Sequence, residues 1–158
     1  MKSVAVLYNI RSVLNVGAIF RTCDAAGISK IYLAGYTPTS LDRFNRPRKD
    51  LAKAALGAEK TVLWEHCDDI NDIFKILKQE KYKIVAIEQS QDSVDYKKVS
   101  EMLLGEDIAF VVGNEVDGLS KDVLKKCDLV SEIPMKGSKE SLNVATAFGI
   151  AVFRVLNI

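Results

Sequence analysis

The sequence is poor in the side chains on which many catalytic and metal sites depend. It has a single histidine, His66, and only three cysteines, Cys23, Cys67 and Cys127. One histidine argues against a histidine-based triad or a histidine metal centre. The cysteines are odd in number, widely spaced and form no metal-binding pair. We therefore expect buried free thiols and a reducing, cytoplasmic environment.

Long apolar runs and an excess of one charge are also absent. No run approaches the roughly 20 apolar residues of a membrane-spanning helix. A strand-like run begins at Val4, so we expect no signal or transit peptide. The net charge is +1 over 158 residues, so a polyanionic partner would have to be held by a local patch. The length predicts a single domain, residues 1–158.

Two common nucleotide-binding signatures are missing as well. No Gly-x-Gly-x-x-Gly follows a strand-like run, and no Gly-Lys-Ser/Thr ends a glycine-rich loop, which excludes the standard dinucleotide and P-loop sites. The carboxylates of Glu115 and Asp117 stand close together, but no further ligand at suitable spacing accompanies them. We therefore expect no metal site.

What the sequence does contain is an alternation of strand-like and helical patterns. The strand-like runs are continuous rather than alternating, which is typical of parallel strands covered on both faces. Helical spacing occurs between them, and the alternation predicts an α/β domain with a parallel sheet and helices on both faces. The strand-like runs are Val4–Leu7, Ile31–Leu33, Val62–Trp64, Ile84–Ile87, Ile108–Val112 and Leu129–Ile133, and the clearest helices are Val16–Ala26, Leu51–Leu56, a segment from Ile70 to Leu77, and the C-terminal helix.

Polar residues are concentrated where these strands end. Asn9 and Arg11 follow the first strand, Glu88 the fourth, residues 113–115 the fifth, and residues 134–141 the sixth. Ligands of open α/β sheets bind beyond the carboxyl ends of the strands, so the clusters predict one composite site. The alternative is that loops between strands and helices are polar in any α/β protein.

The first cluster leads into a helix with an unusual arginine. Asn15 and Gly17 suit a loop entering that helix, and Arg21 lies among its apolar and small residues. A guanidinium in such surroundings needs an anionic partner. The partner could be a ligand, or it could be Asp24 or Glu115 in an ordinary ion pair.

The last strand, loop and helix form a second unusual stretch. We expect the helix to begin at Ser141, and it is apolar almost all round, so it should be covered on two sides. Ser141 could be an ordinary N-terminal cap, but this does not explain Asn143 on the same apolar helix. Free backbone N–H groups there, beside an apolar loop, suit a purine and a ribose.

A third feature is the stretch of residues 42–53, called the basic segment below. It has five basic and two acidic residues, with Phe44 inside it. Basic residues interleaved with an aromatic ring suit a phosphate backbone and a stacked base. The alternative is a solvated loop and helix surface.

Three motifs together carry a family resemblance. They are Asn-x-Arg-x-x-x-Asn-x-Gly-x-x-x-Arg at 9–21, Gly-x-Glu-x-x-Gly at 113–118, and Ile-Pro-Met-x-Gly-x-x-x-Ser-Leu-Asn-Val at 133–144. In this order and spacing the chain resembles the SpoU-type (TrmH) branch of the SPOUT RNA methyltransferases over essentially its whole length. It is similar to the minimal members, which have no N-terminal RNA-binding extension.

The resemblance implies properties that periodicity does not show. It implies a C-terminal trefoil knot, which topology rules would not have predicted, and a homodimer formed by the first and last helices. It also implies that the knot loops bind S-adenosyl-L-methionine and release S-adenosylhomocysteine. The cofactor-binding residues carried over from the motifs are Ile87, Glu88, Gly113, Ile133, Met135, Ser141 and Leu142.

The implied reaction is methyl transfer to a ribose 2′-hydroxyl of RNA, with tRNA favoured over rRNA. The resemblance makes Arg21 the central catalytic residue, surrounded by Asn15, Glu115, Ser141 and Asn143. We expect Arg11, Arg43, Arg46, Arg48 and Lys49 to bind the RNA. Two alternatives remain: a knotted protein that binds RNA or cofactor without catalysis, and a SPOUT enzyme that methylates a base.

Overall fold

The computed structural model describes all of residues 1–158. The chain forms seven strands and seven α-helices, and a short 3₁₀ turn at Tyr96–Lys98 precedes α5. The strands are β1 Ser3–Tyr8, β2 Lys30–Ala34, β3 Leu63–Cys67, β4 Lys83–Ile87, β5 Val94–Asp95, β6 Ile108–Val112 and β7 Leu129–Glu132. The helices are α1 Val13–Ala26, α2 Lys49–Ala55, α3 Ala58–Thr61, α4 Ile70–Gln79, α5 Val99–Met102, α6 Lys121–Leu124 and α7 Val144–Leu156.

All seven strands form one parallel sheet in the order β3-β2-β1-β6-β4-β7-β5. The predicted α/β class is therefore confirmed. The two-residue strand β5 was not predicted, because its sequence carries no apolar run. The C-terminal half takes an unusual path: the chain goes from β4 to the sheet edge at β5, returns across β4 to β6, and then enters between β4 and β5 as β7.

Two apolar cores cover the two faces of the sheet. Ala5 and Leu7 of β1 point into one core, with α1 and α7, while Val4 and Val6 point into the other, with α4. Burial on both faces explains why the central strands read as continuous apolar runs. The edge strand β3 is the exception to the expected coverage, since Leu63 is 70% exposed.

The first helix begins earlier than its apolar pattern predicted. It starts at Val13, and the Ser12 hydroxyl caps it by accepting a hydrogen bond from the Asn15 backbone N–H at 3.2 Å. Asn15 and Gly17 therefore lie inside the helix and not in the loop before it. Gly17 is needed for packing, because a Cβ there would stand 2.7 Å from Leu51 O in α2.

The last helix begins later than predicted. It starts at Val144, and its cap is Asn143, not Ser141. The Asn143 Oδ1 accepts hydrogen bonds from the backbone N–H groups of Ala145 and Thr146 at 2.9 and 3.2 Å. A side-chain amide competes with the backbone in this way more readily than it continues a helix, so residues 141–143 remain in the loop.

The expected double coverage of α7 is found only in part within one chain. Phe148, Val152 and Val155 are buried in the core, but Ile150 and Phe153 stay exposed on the other side.

The thiols also differ from expectation, since Cys23 is buried but Cys67 and Cys127 are only half-buried; all three are free. None of the helices has the length and apolarity required to cross a membrane.

Candidate functional site

A cleft of about 250 Å³ opens at the carboxyl ends of β4, β6 and β7. Its walls are the turn after β6, the segment 133–143 and the first turn of α7, which is the edge where the polar clusters were expected to converge. All seven residues carried over as cofactor-binding lie in its walls. The lining residues are Ile87, Glu88, Gln89, Val112, Gly113, Asn114, Glu115, Val116, Gly118, Ser131, Ile133, Met135, Ser141, Leu142, Asn143, Val144 and Ala147.

The charges in the cleft walls are of one sign. Glu88 and Glu115 are the charged residues of the lining, which includes no lysine, arginine or histidine. The remaining walls combine eight apolar side chains with two glycines and five neutral polar side chains. A cleft with this lining can accept an apolar or cationic group, but it offers no side-chain cation to neutralise a pyrophosphate.

Glu88 holds the turn that follows β6. Its Oε2 accepts a hydrogen bond from the Leu119 backbone N–H at 3.1 Å, and its Oε1 accepts one from Gln89 N–H at 2.9 Å. A Cβ at Gly118 would lie 2.3 Å from this carboxylate, and Gly118 has φ of 64°. The backbone conformation therefore favours glycine there, and any larger residue would displace the Glu88 carboxylate from this turn.

Glu115 ties the same turn to the start of α1. Its Oε2 accepts from Arg11 N–H at 2.9 Å, and its Oε1 accepts from Ser12 N–H and Asn15 Nδ2, both at 3.0 Å. Partial burial raises the pKa of this carboxyl, but the hydrogen bonds from Arg11, Ser12 and Asn15 outweigh it and hold the pKa below its ordinary value. Glu115 is thus an ionised anchor whose lone pairs are engaged.

Asn15 connects this anchor to the last helix. Its Nδ2 donates to the Glu115 carboxylate, which can only accept, and its Oδ1 accepts from Asn143 Nδ2 at 3.0 Å. The orientation of the Asn143 amide is fixed, because its Oδ1 caps α7 and only its Nδ2 is left to face Asn15. One continuous chain of hydrogen bonds, Asn143 to Asn15 to Glu115, therefore joins the starts of α1 and α7 at the mouth of the cleft.

Asn114 and Ser131 are two lining residues that motif reasoning did not single out. Asn114 is buried, and its Oδ1 accepts from Val116 and Asp117 N–H at 2.8 and 3.0 Å, which shapes the turn. The Ser131 hydroxyl is buried and has no hydrogen-bond partner. An asparagine directly after a buried strand was the available signal for Asn114; no sequence signal marked Ser131.

Arg21 is not brought to the cleft of its own chain. Its side chain is exposed, does not line the cleft and forms no ion pair, so neither Asp24 nor Glu115 is its partner. Arg21 lies six residues after Asn15 on α1, which places it about 240° round the helix and about 9 Å along it. It shares its face of α1 with the exposed Leu14.

The basic segment is partly neutralised by its own acids. Arg46 pairs with Asp42, and Arg48 pairs with Asp50, both at 2.9 Å. The guanidinium groups of Arg43 and Arg46 stand 4.8 and 4.9 Å from the centre of the Phe44 ring. The exposed side chains Arg11, Arg43, Lys49 and Lys53 form no ion pair.

Known proteins share both the sequence and the fold. A model of the SpoU rRNA Methylase family matches residues 2–153. A tRNA (guanosine(18)-2′-O)-methyltransferase from Aquifex aeolicus is 33% identical over 147 residues, which are 92% of this chain and 64% of that protein. The solved structure of an AdoMet-bound rRNA methyltransferase from Sinorhizobium meliloti is 28% identical with a TM-score of 0.86, covering 99% of this chain and 56% of that one.

A solved TrmH/SpoU tRNA modifying enzyme of A. aeolicus matches with a TM-score of 0.83 at 28% identity, covering 99% of this chain and 74% of that one. The chain spans less than two thirds of the length of the first two relatives. The likeness in fold confirms the expected α/β architecture with the C-terminal trefoil knot of these methyltransferases. The matched family model covers nearly the whole chain, and the chain therefore belongs to the SpoU rRNA methylase family.

Proposed function

We propose that this chain is an S-adenosyl-L-methionine-dependent RNA methyltransferase that methylates a ribose 2′-hydroxyl. The observation that carries the proposal is the cleft at the ends of β4, β6 and β7, with its mixed apolar and neutral polar walls, its two carboxylates and its lack of cations. These features suit a ligand that combines a purine nucleoside with a positively charged sulfonium. They do not suit a nucleotide with a polyphosphate chain.

The residues present fit this cofactor. Ile87, Ile133, Met135 and Leu142 offer apolar contact to a planar base, and the Gly113 backbone also lines the cleft. The buried Ser131 hydroxyl on the same wall has no partner in the chain, so the cofactor could supply its hydrogen bond. Glu88 and Ser141 complete the set of residues that would hold the cofactor.

Bound S-adenosyl-L-methionine would supply an activated methyl group, so the chain's own task is to orient the ribose oxygen and to ease the loss of its proton. Arginine stays protonated at ordinary pH, which makes Arg21 unsuitable as a proton acceptor. Arg21 instead grips the neighbouring RNA phosphate and stabilises the negative charge that develops on the ribose oxygen, while the phosphate takes the proton.

The other residues of the catalytic group take distinct roles. Asn15 and Asn143 fix the geometry where RNA and cofactor meet, and Ser141 stands free at the cleft wall, since its side chain has no partner in the chain. Glu115 acts as a positioning residue, because its two oxygens already accept three hydrogen bonds. This role differs from a direct part in proton transfer.

The working unit in this proposal is a homodimer built on α1 and α7. Leu14, Ile150 and Phe153 leave an apolar surface exposed on these two packed helices, and a second copy would cover it. Arg21 lies on the same side of α1 as Leu14. It therefore acts in the assembled dimer with RNA bound, and not within one isolated chain.

We propose tRNA rather than rRNA as the substrate, with the A. aeolicus tRNA methyltransferase, at 33% identity, as the support. The basic segment and Arg11 would bind the RNA backbone. A cytoplasmic location agrees with an RNA substrate and with three free thiols.

The test is methyl transfer from labelled S-adenosyl-L-methionine to unmodified tRNA and to rRNA, followed by nuclease digestion and mass spectrometry. We expect label on a ribose of tRNA. Label on a base would instead support the SPOUT base methyltransferase, and cofactor and RNA binding without transfer would support the non-catalytic protein.

Arg21→Ala and Arg21→Lys separate catalysis from cofactor binding. We expect Arg21→Ala to lower turnover by at least about 100-fold, in line with the loss of an electrostatic stabiliser, and Arg21→Lys to recover little because it lacks the planar fork. Affinity for S-adenosylhomocysteine, measured by calorimetry, should not change. Near-normal turnover of Arg21→Ala would show that this role is wrong.

A further inference from the structure

An exposed aromatic side chain stands beside the cleft without a role in the function proposed so far. Tyr36 follows β2 at the carboxyl edge of the sheet, and 60% of it is exposed. Its hydroxyl is nevertheless 2.7 Å from Nδ2 of Asn114, a buried residue of the cleft lining. A single hydrogen bond therefore joins the Tyr36 hydroxyl to the cleft wall, while most of the side chain remains exposed to solvent.

The backbone around Tyr36 is held from several directions. Tyr36 N–H donates to Asn9 Oδ1 at 3.1 Å, and Gly35 N–H donates to Cys67 O at 3.0 Å. His66 Nε2 lies 2.8 Å from Gly35 O. Gly35 has φ of 63°, and a Cβ there would stand 2.0 Å from Asn9 Oδ1. The hydrogen bonds of the Gly35 and Tyr36 backbone fix the direction in which the Tyr36 side chain leaves the sheet.

The polarity of the Tyr36–Asn114 bond follows from the other bonds of Asn114. Its Oδ1 accepts from Val116 and Asp117 N–H, so the group that faces Tyr36 must be the Nδ2 donor. The same Nδ2 also donates to Asn9 O at 3.1 Å. The Tyr36 oxygen is therefore the acceptor. Water could have bonded this exposed hydroxyl equally well, so the hydrogen bond from a buried amide serves to orient the ring.

Orienting an exposed side chain costs rotamer entropy and brings little stability, which points to a role in binding. We propose that Tyr36 is a stacking platform for an unpaired RNA base next to the cleft. Aromatic rings that stack on splayed bases are the usual way in which proteins grip single-stranded RNA. The inference rests on the proposed function, since it names a contact for the same RNA.

The basic segment supplies the matching backbone contacts. It begins six residues after Tyr36 in the same loop, and its Lys49 and Lys53 carry unpaired charges. Phe44, by contrast, has the guanidinium groups of Arg43 and Arg46 against its ring. Phe44 is as exposed as Tyr36, at 61%, but no cation stands over the Tyr36 ring, so its aromatic surface is free to receive a base.

The experiment compares Tyr36→Phe with Tyr36→Leu, which is apolar but cannot stack. Affinities are measured by fluorescence anisotropy for short oligoadenylate and for an abasic ribose–phosphate chain of the same length. We expect Tyr36→Leu to bind oligoadenylate about tenfold more weakly than wild type, the size of one lost stacking contact. Tyr36→Phe should stay within about threefold, and neither variant should change binding of the abasic chain.

A spectroscopic readout reports stacking directly. In a Trp64→Phe background, which removes the chain's one native tryptophan, Tyr36→Trp should show quenched fluorescence when oligoadenylate is added but not when the abasic chain is added. Affinity for S-adenosylhomocysteine should remain within about twofold in every variant, because Tyr36 does not line the cleft.

Two results would overturn the inference while the proposed function stands. One is unchanged oligoadenylate affinity in Tyr36→Leu. The other is an equal loss in Tyr36→Phe and Tyr36→Leu, which would assign the effect to the Asn114 hydrogen bond and not to the ring. A wild-type protein that neither binds RNA nor transfers a methyl group would overturn the proposed function, and the stacking site with it.

Discussion

At the scale of single residues, the cleft depends on polar side chains whose hydrogen bonds can be counted. Ser131 has a buried hydroxyl with no partner, whereas Thr37, also buried, donates to Leu7 O and accepts from Ile10 N–H. A buried hydroxyl without a partner costs free energy in the unliganded chain, and a satisfied one does not. The two residues therefore form a matched pair for measurement.

We predict that Ser131→Ala raises the free energy of unfolding of the unliganded protein by about 1 kcal/mol, because the variant no longer buries an unsatisfied hydroxyl. Thr37→Val should lower it by about 1–3 kcal/mol, because the hydroxyl no longer accepts from Ile10 N–H or donates to Leu7 O and Ala34 O. Urea unfolding measures both. A destabilised Ser131→Ala would mean that the hydroxyl already has a partner in solution.

Glu115 allows a prediction on pH. Its folded pKa lies below the ordinary value of 4.5, so its contribution to stability is present above pH 4.5 and is lost as the pH falls through the lower folded pKa. Glu115→Gln should therefore be less stable than wild type at neutral pH, and the difference should shrink below pH 4.5. A difference that persists undiminished in acid would contradict an ionised anchor.

At the scale of elements, the sequence located every long helix but misplaced two of the starts that matter for the site. Apolar periodicity marks only the part of a helix that packs against the core, so it predicts α1 from Val16. The helix in fact starts at Val13, because Ser12 caps it. The start of α7 was predicted too early, because Ser141 resembles a cap as well as Asn143 does. The capping hydrogen bonds of Ser12 and Asn143, which residue type alone does not reveal, set both starts.

The basic segment illustrates the same limit. Its composition predicts RNA binding by Arg46 and Arg48, yet both are paired with acids inside the segment. We therefore predict a larger effect from the unpaired cations. Joint replacement of Arg43, Lys49 and Lys53 by alanine should flatten the salt dependence of tRNA binding by about 2–3 units of log–log slope, roughly one for each phosphate contact.

Arg46→Ala with Arg48→Ala is the matched control and should change the slope less, with affinity for S-adenosylhomocysteine unchanged in both variants. Filter binding to tRNA over a series of salt concentrations provides the measurement. Equal slopes for wild type and the triple variant would remove the segment from the RNA-binding surface.

At the scale of the whole molecule, the open question is what covers the exposed side of α1 and α7. We predict that the protein elutes as a dimer, at twice the chain mass of 17.5 kDa. Ile150→Asp should yield a monomer, because a buried carboxylate without a partner is costly. Leu104→Asp is the control, since Leu104 is exposed on the loop after α5.

Size-exclusion chromatography with light scattering distinguishes these outcomes, and methyl transfer should be lost in the Ile150→Asp monomer because Arg21 then lacks a partner chain. A dimeric Ile150→Asp would show that another surface joins the subunits. An active monomer would show that Arg21 acts within its own chain.

By itself, the sequence determined the class of the fold, the edge of the sheet at which the cleft opens and the residues of the three motifs. Buried strands and the order of elements can be read from short stretches of sequence, as apolar runs and as the alternation of strand-like with helical spacing. Only the tertiary structure decided how those residues meet, because each link joins segments far apart in the chain. It placed Asn143 against Asn15 and Tyr36 against Asn114, and it left Ser131 without a partner and Arg21 outside the cleft.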